Sequence, residues 1–328
     1  MKIVITGAAG FLGRHLAERL LRRGESVTGF DLIRPEPEIR GLEIVTGSVE
    51  DPEALSKAMR GAEAVIHAAA ITGLWARDPR RFHQVNAEGT RTVLDAAAAA
   101  GVTRVVHVSS FVTLIAASPG LGRGDVETVS ERLELPVEAM LGPYPASKRA
   151  AELICRAHPL DPVIVQPSAP IGPGDHGPTP PGRLLRDLAV GKLPALIDCT
   201  WNFVHIHALA DGIIAALEDG VPGRRYLMAG ETLDTAEFAK LCDDLGLQPP
   251  RARVPYGLAL ASGLVEEALG RVFGRPPAGP LTGVRLAGPR RSFDSSRARR
   301  ELGFRPPETS QALRDTMLWL RAQGLLGR

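Results

Sequence analysis

Short apolar runs alternate with longer amphipathic segments along the first half of the chain. Runs of strand character cover residues 2–6, 26–31, 42–47, 63–70, 104–110 and 162–167. The last three are continuously apolar, which is typical of strands buried on both faces. Leucines, alanines and capping residues at helical spacing mark the segments between them, at 11–24, 51–61 and 78–101. Buried strands that alternate with helices predict a parallel, doubly wound α/β sheet of the Rossmann type.

The pattern changes after residue 166. Residues 167–182 include ten proline or glycine residues, which predicts an irregular, stiff loop. Shorter mixed elements follow, with strands at 202–206 and 224–228 and helices at 207–219, 234–245, 256–272 and 308–323. We therefore predict a main domain over 1–166, with returning elements around 202–228. A smaller C-terminal substrate lobe would comprise 167–201 and 229–328.

Composition excludes several classes of protein. The chain has 328 residues, 44% hydrophobic and 23% charged, with a net charge of +2, which is ordinary for a globular protein and gives no reason to expect a nucleic-acid partner. Its one basic run, residues 290–300, is interpreted as a solvated helix face. No apolar run approaches the roughly 20 residues of a membrane span. The three cysteines are isolated, so we predict a soluble protein of the cytoplasm.

The segment TGAAGFLG (6–13) follows the first strand and opens the first helix. Gly7, Gly10 and Gly13 allow a tight turn and a close approach of the backbone, together with Phe11 and Leu12, to a pyrophosphate group. The N–H groups at the start of the helix would face its negative charge. A structural turn is the alternative, but the strand–turn–helix context favours dinucleotide binding.

Asp31 ends the second strand, at the position where a carboxylate accepts hydrogen bonds from the ribose hydroxyls of NAD and repels a 2′-phosphate. The alternative is an ordinary residue of a strand-end turn. Arg34 lies three residues further on and would favour NADP instead. The sequence thus predicts NAD as the cofactor, with NADP less favoured.

Tyr144 and Lys148 are the candidate catalytic pair. They stand four residues apart in a helical segment, so both side chains share one face. A phenol titrates near pH ~10, and a nearby ammonium group is expected to lower the pKa of Tyr144 and to bind the nicotinamide ribose. Ser110, at a predicted strand end, is the candidate second donor to a carbonyl oxygen, while Ser109 either lies nearer the cofactor or caps the strand. The chemistry indicated is hydride transfer at a carbonyl or carbinol carbon.

The whole chain resembles the extended short-chain dehydrogenase/reductases. The resemblance rests on Asp31 and on TGAAGFLG (6–13), HAAA (67–70), VNAEGT (85–90), VSS (108–110), YPASK (144–148) and ELGFRP (301–306). Within that superfamily the chain is most similar to the hopanoid-associated sugar epimerase group, a relative of dihydroflavonol reductases and 3β-hydroxysteroid dehydrogenases. The segments that carry this likeness are LWARDP (74–79), PSAPIGPGDHGPTPPGR (167–183) and NFVHI (202–206).

The resemblance implies roles for further residues. It implies that Ser110, Tyr144 and Lys148 form the catalytic triad and that Asn86 supports the active-site helix. It also implies a set of cofactor contacts, in which two residues flank adenine, three line the cofactor and a segment passes near the nicotinamide: Ser48 and Val49, then Ala68, Ala69 and Ala70, then Pro167 to Ala169. A homodimer, built from helices near 78–100 and 144–157, is implied as well.

Departures from the family pattern narrow the class of substrates that the protein is expected to act on. Ser48 stands where an acid usually binds the adenine amino group. Phe111 and Val112 replace the acidic pair of the dehydratases, so sugar-nucleotide dehydration is not expected. Trp201 stands where sugar-nucleotide epimerases place a diphosphate-binding arginine, although Arg183 and Arg225 remain candidate substitutes.

Leu74, Trp75 and Phe111 either line an apolar substrate cleft, together with Trp201, or belong to the core. The spacing His205-x-His207 is interpreted as a strand-end pair rather than a metal site, because no third ligand is evident. No metal is therefore predicted.

Three functions are weighed. The first is an NAD(H)-dependent oxidoreductase that reduces a keto group, or oxidises a hydroxyl, of a largely apolar small molecule. The second is an NAD-dependent sugar or sugar-nucleotide epimerase. The third is a non-catalytic dinucleotide sensor, which the presence of Ser110, Tyr144 and Lys148 disfavours.

Overall fold

A computed structural model describes residues 1–116, 126–277, 279–288 and 291–326. Its strands are β1 (Lys2–Thr6), β2 (Ser26–Asp31), β3 (Glu43–Thr46), β4 (Ala64–His67), β5 (Arg104–Val108), β6 (Glu127–Val129), β7 (Val163–Pro167), β8 (Ala169–Ile171), β9 (Leu196–Ile197), β10 (Thr200–His205), β11 (Arg225–Met228), β12 (Thr232–Asp234), β13 (Arg253–Val254) and β14 (Arg291–Phe293). Its α-helices are α1 (Phe11–Arg22), α2 (Pro52–Ala58), α3 (Arg80–His83), α4 (Gly89–Ala99), α5 (Pro143–Ala157), α6 (Pro180–Ala189), α7 (Ile206–Asp219), α8 (Thr235–Asp244), α9 (Tyr256–Phe273), α10 (Leu281–Leu286), α11 (Ser296–Leu302) and α12 (Thr309–Ala322).

The main sheet is parallel throughout its described strands, in the order β11-β7-β5-β4-β1-β2-β3. The chain builds outward from β1 to β3, then crosses to the other side of β1 and continues with β4. This reversal makes β1 and β4 the switch point, where ligands bind beyond the carboxyl ends of the strands. The predicted doubly wound Rossmann-type sheet is confirmed.

Two apolar cores cover the faces of this sheet. One lies beneath α1, α7 and α11 and includes Ile3, Leu16 and Ile213, each fully buried. The other lies beneath α2 and α4 and includes Val4, Leu55 and Leu94. The continuous apolar strands predicted from the sequence thus bury both faces, as parallel sheets require.

The later elements build a separate layer. β8, β10 and β12 form a small sheet, and residues from α6, α8 and α12 join it in a core around Phe203 and Phe238. α7 and β11 instead pack on the main sheet, and β11 forms its edge. The division into a main domain and a substrate lobe stays a prediction, since these contacts do not test where the boundary lies.

The long helix predicted over 78–101 is interrupted. α3 leads into a π-helical turn, Gln84–Glu88, before α4 begins. Such a wide turn shifts the helix face by one residue and occurs often at functional sites. Here it carries Asn86, whose contacts are described below.

The interpretation of the basic run 290–300 as one solvated helix face is wrong. Arg291 lies in β14 and is 3% exposed, and its Nε donates to Glu127 at 3.2 Å. Arg297 pairs with the buried Glu131 at 3.0 Å. Arg299 is exposed as expected, while Arg290 lies outside the described residues. In the described part of the chain, no helix combines the length and the hydropathy that crossing a membrane demands.

Candidate active site

The loop between β1 and α1 presents backbone rather than side chains. Gly7 has a φ of 75°, which glycine tolerates and other residues rarely adopt. A Cβ on Gly13 would lie 2.0 Å from the Gly7 carbonyl oxygen, so a larger residue cannot pack there unchanged. Within the described residues no side chain caps α1, whose N-cap residue is Gly10. The first N–H groups, from Phe11 and Leu12 onward, are therefore left for a negatively charged group.

Asp31 connects β2 to this glycine loop. Its Oδ2 accepts a hydrogen bond from the Ala9 N–H at 2.9 Å, and its Oδ1 accepts from the Leu32 N–H at 2.7 Å. The carboxylate is thereby held beside the loop, at the carboxyl end of a strand next to β1. This arrangement, with the glycine loop, fits the diphosphate and ribose of a dinucleotide.

The segment after β4 packs on the same loop. The Ala68 N–H donates to the Thr6 carbonyl, and the Ala69 N–H donates to Thr6 Oγ1, each at 3.2 Å. A Cβ on Gly7 would meet Ala69 Cα at 2.8 Å, so these two segments approach as closely as glycine permits. Ala70 follows and is partly exposed. The structure thus brings the HAAA segment and the glycine loop together.

The remaining predicted cofactor contacts lie at the same edge. Ser48 and Val49 follow β3; Ser48 Oγ accepts from the Glu50 N–H at 3.1 Å, and Val49 is largely buried. Pro167 ends β7 and Ala169 begins β8. Their roles toward adenine and nicotinamide stay predictions.

Helix α5 carries Tyr144 and Lys148 on one face. Pro143 is the first residue of the helix, where the backbone N–H that proline lacks would have no partner within the helix. Gly142 before it has a φ of 140°, so the chain turns sharply into the helix. Lys148 is 2% exposed, and its Nζ donates to the Val108 carbonyl at 2.6 Å. Because Val108 ends β5, two residues before Ser110, this bond fixes the helix relative to the strand end that carries the serine.

The titration of this pair differs from the sequence prediction. Burial raises the pKa of Tyr144, while the neighbouring Ser110 hydroxyl opposes that shift. The predicted lowering of the tyrosine pKa by Lys148 is therefore wrong, since the ammonium group binds Val108 and burial dominates. Burial also lowers the pKa of Lys148 to about 8, against the opposing effects of Cys155 and Glu152.

Glu152 is a buried residue that the sequence prediction missed. It is fully buried one helical turn after Lys148. Its Oε1 accepts from the Thr113 hydroxyl at 2.8 Å and from Gln166 Nε2 at 2.9 Å, and its Oε2 accepts from Arg149 at 3.1 Å. A buried carboxylate is stable only with such partners. The only available signal was a glutamate four residues after Lys148 on the same helix face.

Ser109 also bonds to Glu152, through its hydroxyl. This bond turns the Ser109 side chain away from that of Ser110, because alternate residues of a strand end point to opposite sides. Its place nearer the cofactor or as a strand cap stays a prediction. Ser110 instead caps a short 3-10 helix, Phe111–Leu114, with its Oγ 3.4 Å from the Val112 N–H. This places the Ser110 hydroxyl on the side of Tyr144.

Asn86 ties three segments together at the back of α5. Its Nδ2 donates to Ser147 Oγ at 2.9 Å and to the Ile71 carbonyl at 3.0 Å, and its Oδ1 accepts from the Ile71 N–H at 2.8 Å. The π-helical turn turns this side chain inward. The contact with Ser147 is the support of the active-site helix that the family resemblance implied.

A small cavity of about 70 Å³, with somewhat more apolar than polar lining, opens beside the first turn of α5. Its apolar lining is Leu74, Trp75, Ala76, Pro79, Phe82 and Leu281. Gly142 and Pro143, directly before Tyr144, complete the wall, and the rings of Phe82 and Tyr144 have centroids 6.1 Å apart. Glu267, Thr282 and Arg285 supply the polar part of the lining. Of the predicted apolar cleft residues, Leu74 and Trp75 therefore line a cavity.

Two other residues of that prediction lie elsewhere. Trp201 stacks on Phe238 at a centroid distance of 4.4 Å, within the core of the small sheet, and its Nε1 donates to Thr235. Phe111 packs edge-on against Phe293 at 5.5 Å. Of the two alternatives for Trp201, the cleft or the core, the structure shows packing on the core, because β10 turns that side chain toward α8.

The structure also shows the positions of the two arginines that were candidates for binding a diphosphate. Arg225 is 6% exposed, and its guanidinium bonds to Glu134 at 2.7 Å and lies 3.7 Å from Glu152. It belongs to the buried ion network rather than to the cavity. Arg183 is exposed on α6, with its Nε donating to the Pro178 carbonyl at 3.2 Å.

His205 and His207 join a third histidine near a separate, open depression. The His15 and His207 rings have centroids 5.1 Å apart, and His205 Nε2 lies 3.0 Å from Asp315 Oδ2. The depression is lined by both strand-end histidines, Asp211 and Arg305, but by none of the candidate catalytic residues. Among the described residues, no group of three or more potential ligands is arranged to hold a metal ion.

Comparison with known proteins places this geometry in context. Residues 3–229 match the model of a family described as the NAD dependent epimerase/dehydratase family. The sterol demethylase protein B of Methylococcus capsulatus is 32% identical over 99% of this chain and 100% of its own. The 4-hydroxy-2-methyl-3-oxo-4-farnesyl-3,4-dihydroquinoline-1-oxide ketoreductase of Stigmatella aurantiaca is 32% identical over 95% of this chain and 94% of its own.

A solved structure supports the same fold. The nucleoside-diphosphate-sugar epimerase from Pseudomonas aeruginosa has a TM-score of 0.78 and is 25% identical, over 100% of this chain and 99% of that chain. A protein named as a ketoreductase and a protein named as a sugar epimerase are thus both similar to this chain over nearly its whole length.

Proposed function

The chain belongs to the NAD dependent epimerase/dehydratase family, and we propose that it is an NAD(H)-dependent oxidoreductase acting on a largely apolar small molecule. It would reduce a keto group or oxidise a hydroxyl group. The observation that carries the proposal is the apolar cavity of Leu74, Trp75 and Phe82 beside Tyr144. The reductases similar to this chain include one whose name describes a farnesylated ketone.

NAD is the cofactor expected of this family. The residues that would hold it are Gly7, Gly10, Phe11, Leu12, Gly13, Asp31, Ser48, Val49, Ala68, Ala69, Ala70, Pro167 and Ala169, with Tyr144 and Lys148 on the nicotinamide side. When bound, NADH would supply, or NAD would accept, a hydride (two electrons and one proton) at the substrate carbon. We infer a preference for NAD over NADP from Asp31, whose fixed carboxylate would repel a 2′-phosphate.

The proposed catalytic residues are Ser110, Tyr144 and Lys148. In the direction of reduction, the Tyr144 hydroxyl donates its proton to the substrate oxygen, and the Ser110 hydroxyl holds that oxygen by a hydrogen bond. With a pKa of about 8, Lys148 carries its positive charge at neutral pH. This charge would bind the nicotinamide ribose, as the family resemblance implies, and the bond to Val108 keeps the two proposed catalytic elements in register.

Behind these residues, Glu152 acts as a positioning group. Its bond to Ser109 holds the residue adjacent to Ser110, and its charge opposes the loss of the Lys148 proton. It would therefore help to keep the buried lysine charged.

The second candidate is epimerisation of a sugar nucleotide. Its specific support is Arg285, a cationic residue in the lining of the cavity, together with the architecture shared with a sugar epimerase. Against it, Trp201 stands in the core of the small sheet and Arg225 is bound to carboxylates. A diphosphate normally requires arginine forks or several backbone donors.

We also propose a homodimer and a cytoplasmic location. The dimer would form across α4 and α5, where Leu153 is exposed on the outer face of α5. The three cysteines are free and buried, which suits a reducing compartment.

The experiment that tests the function is a pair of assays on one preparation of the purified protein. Hydrophobic ketones are screened by the loss of NADH absorbance, and UDP- and dTDP-sugars are incubated with NAD and followed by NMR. We expect a hydrophobic ketone to oxidise NADH and the nucleotide sugars to remain unchanged. Interconversion of a nucleotide sugar, without turnover of any ketone, would overturn the proposal in favour of the epimerase.

A further inference from the structure

Helix α9 buries only a narrow face against the rest of the protein. Gly263 packs on α10, where a Cβ on it would lie 3.4 Å from Val284 Cγ2. Ala259 is buried on the same side, and Glu266 Oε2 accepts from the Gly279 N–H at 2.9 Å. These positions are three to seven residues apart, so they form one stripe along the helix.

The opposite face of α9 is apolar and exposed. Every residue of this helix that the structure describes as exposed is uncharged. The large ones are Leu258, Leu264, Val265, Leu269, Val272 and Phe273, of which Val272 is 77% exposed. Single exposed apolar residues are common, but an apolar stripe over about four turns normally marks a surface that binds something.

Helix α12 provides the contrast. Its exposed residues include Gln311, Arg314 and Arg321, with one large apolar residue, Leu318, among them. This is the ordinary pattern of a helix that faces water. The stripe on α9 is therefore a property of that helix rather than of helices in this lobe.

The charged residues at the two ends of α9 indicate what kind of partner the apolar stripe would bind. Arg251 and Arg253 precede the helix, Arg275 follows it, and all three are exposed. If two copies paired through this stripe, arginines would face arginines in either the parallel or the antiparallel arrangement. An apolar stripe with basic residues at both ends fits an anionic lipid bilayer, in which the stripe enters the acyl boundary and the arginines meet the headgroups.

We propose that the exposed face of α9 docks the protein on the surface of an anionic membrane. The same helix contributes Glu267 to the apolar cavity, and α10, on which it packs, contributes Leu281 and Arg285. Docking would bring the cavity close to the membrane, where apolar molecules are concentrated. This last consequence rests on the proposed function, whereas binding to lipid does not.

Vesicle flotation tests the docking directly. The purified full chain is mixed with vesicles of phosphatidylcholine, or of phosphatidylcholine with phosphatidylglycerol, at low and high salt. We expect binding to the anionic vesicles that weakens as salt increases, because headgroup attraction is screened. The double variant Val265→Glu/Val272→Glu should partition at least about tenfold less. The matched control Leu318→Glu, on α12, should bind like the wild type.

Three outcomes would overturn the docking: no binding to either vesicle, equal binding by the double variant, or a dimer that the double variant converts to a monomer without loss of lipid binding. Turnover of a short, water-soluble ketone should be the same in the wild type and the double variant. If no ketone is reduced but lipid binding follows the predicted pattern, the proposed function fails while the docking stands.

Discussion

The glycine loop and the apolar cavity are built in opposite ways. The loop presents backbone atoms of consecutive residues, and its shape depends on the missing side chains of Gly7 and Gly13. The cavity is formed by side chains from segments far apart in the chain, among them Trp75, Phe82 and Leu281. A site made of backbone admits the same ligand whatever its neighbours are. A site made of side chains changes its ligand with each substitution, which is how one fold serves many substrates.

The largest expected effect comes from Tyr144, whose ring centroid lies 6.1 Å from that of Phe82 in the cavity lining. Tyr144→Phe removes the hydroxyl that donates the proton and keeps the ring. Turnover should fall by roughly 10² to 10⁴, as is usual when a general acid is lost, while the dissociation constant of NADH stays the same. Steady-state kinetics and a fluorescence titration measure the two quantities. Tyr256→Phe, which removes a hydroxyl outside the proposed site, is the control, and equal activity of the two variants would refute the assignment.

A substitution that disrupts the glycine loop should reduce activity toward every substrate to the same extent. In Gly13→Ala the new Cβ would stand 2.0 Å from the Gly7 carbonyl oxygen, so the loop must open. Such overpacking costs about 1–3 kcal/mol, and NADH affinity should fall about 5- to 150-fold, with the same loss of kcat/KM for each ketone. Isothermal calorimetry measures the affinity. Gly177→Ala is the control, since a Cβ there meets no atom within 4 Å. Unchanged NADH binding by Gly13→Ala would separate the loop from the cofactor.

The same contrast explains what could be predicted from the sequence. The glycine loop, Asp31 and the Tyr144–Lys148 spacing are local, so the sequence shows them directly. Glu152 escaped prediction because most of its partners come from other elements, and only packing brings them together. Whether Trp201 lines the cleft or the core could not be decided from the sequence, because the side toward which a strand turns a residue depends on the helix that covers it.

A substitution in the apolar cavity should weaken substrate binding without affecting cofactor binding. Trp75→Ala removes a large apolar surface from the cavity, and burial of such a surface is worth about 1.5–3 kcal/mol. The KM for a hydrophobic ketone should rise about 10- to 100-fold, while NADH binding stays the same. Initial rates at varied ketone concentration measure this effect. Trp201→Phe, in the core of the small sheet, should leave KM near the wild-type value. If Trp201→Phe raises KM as much as Trp75→Ala does, the cavity has been misassigned.

A smaller effect follows from Lys148. Burial lowers its pKa to about 8, so the ammonium group is present below that pH and is lost as pH rises through it. Ketone reduction should decline above about pH 8, by roughly tenfold per pH unit. A pH profile of kcat measures the decline. In Lys148→Arg any remaining activity should lack this limb, because a guanidinium group stays protonated. A limb that persists in this variant would belong to another group.

The most direct test of an apolar, side-chain-built substrate site is a series of ketones with alkyl chains of increasing length. Each added methylene that enters the cavity should contribute about 0.8 kcal/mol, or roughly fourfold in kcat/KM. We predict that kcat/KM rises along the series and then levels off when the cavity is filled, and that Trp75→Ala reduces the slope. A kcat/KM that does not depend on chain length would contradict the account.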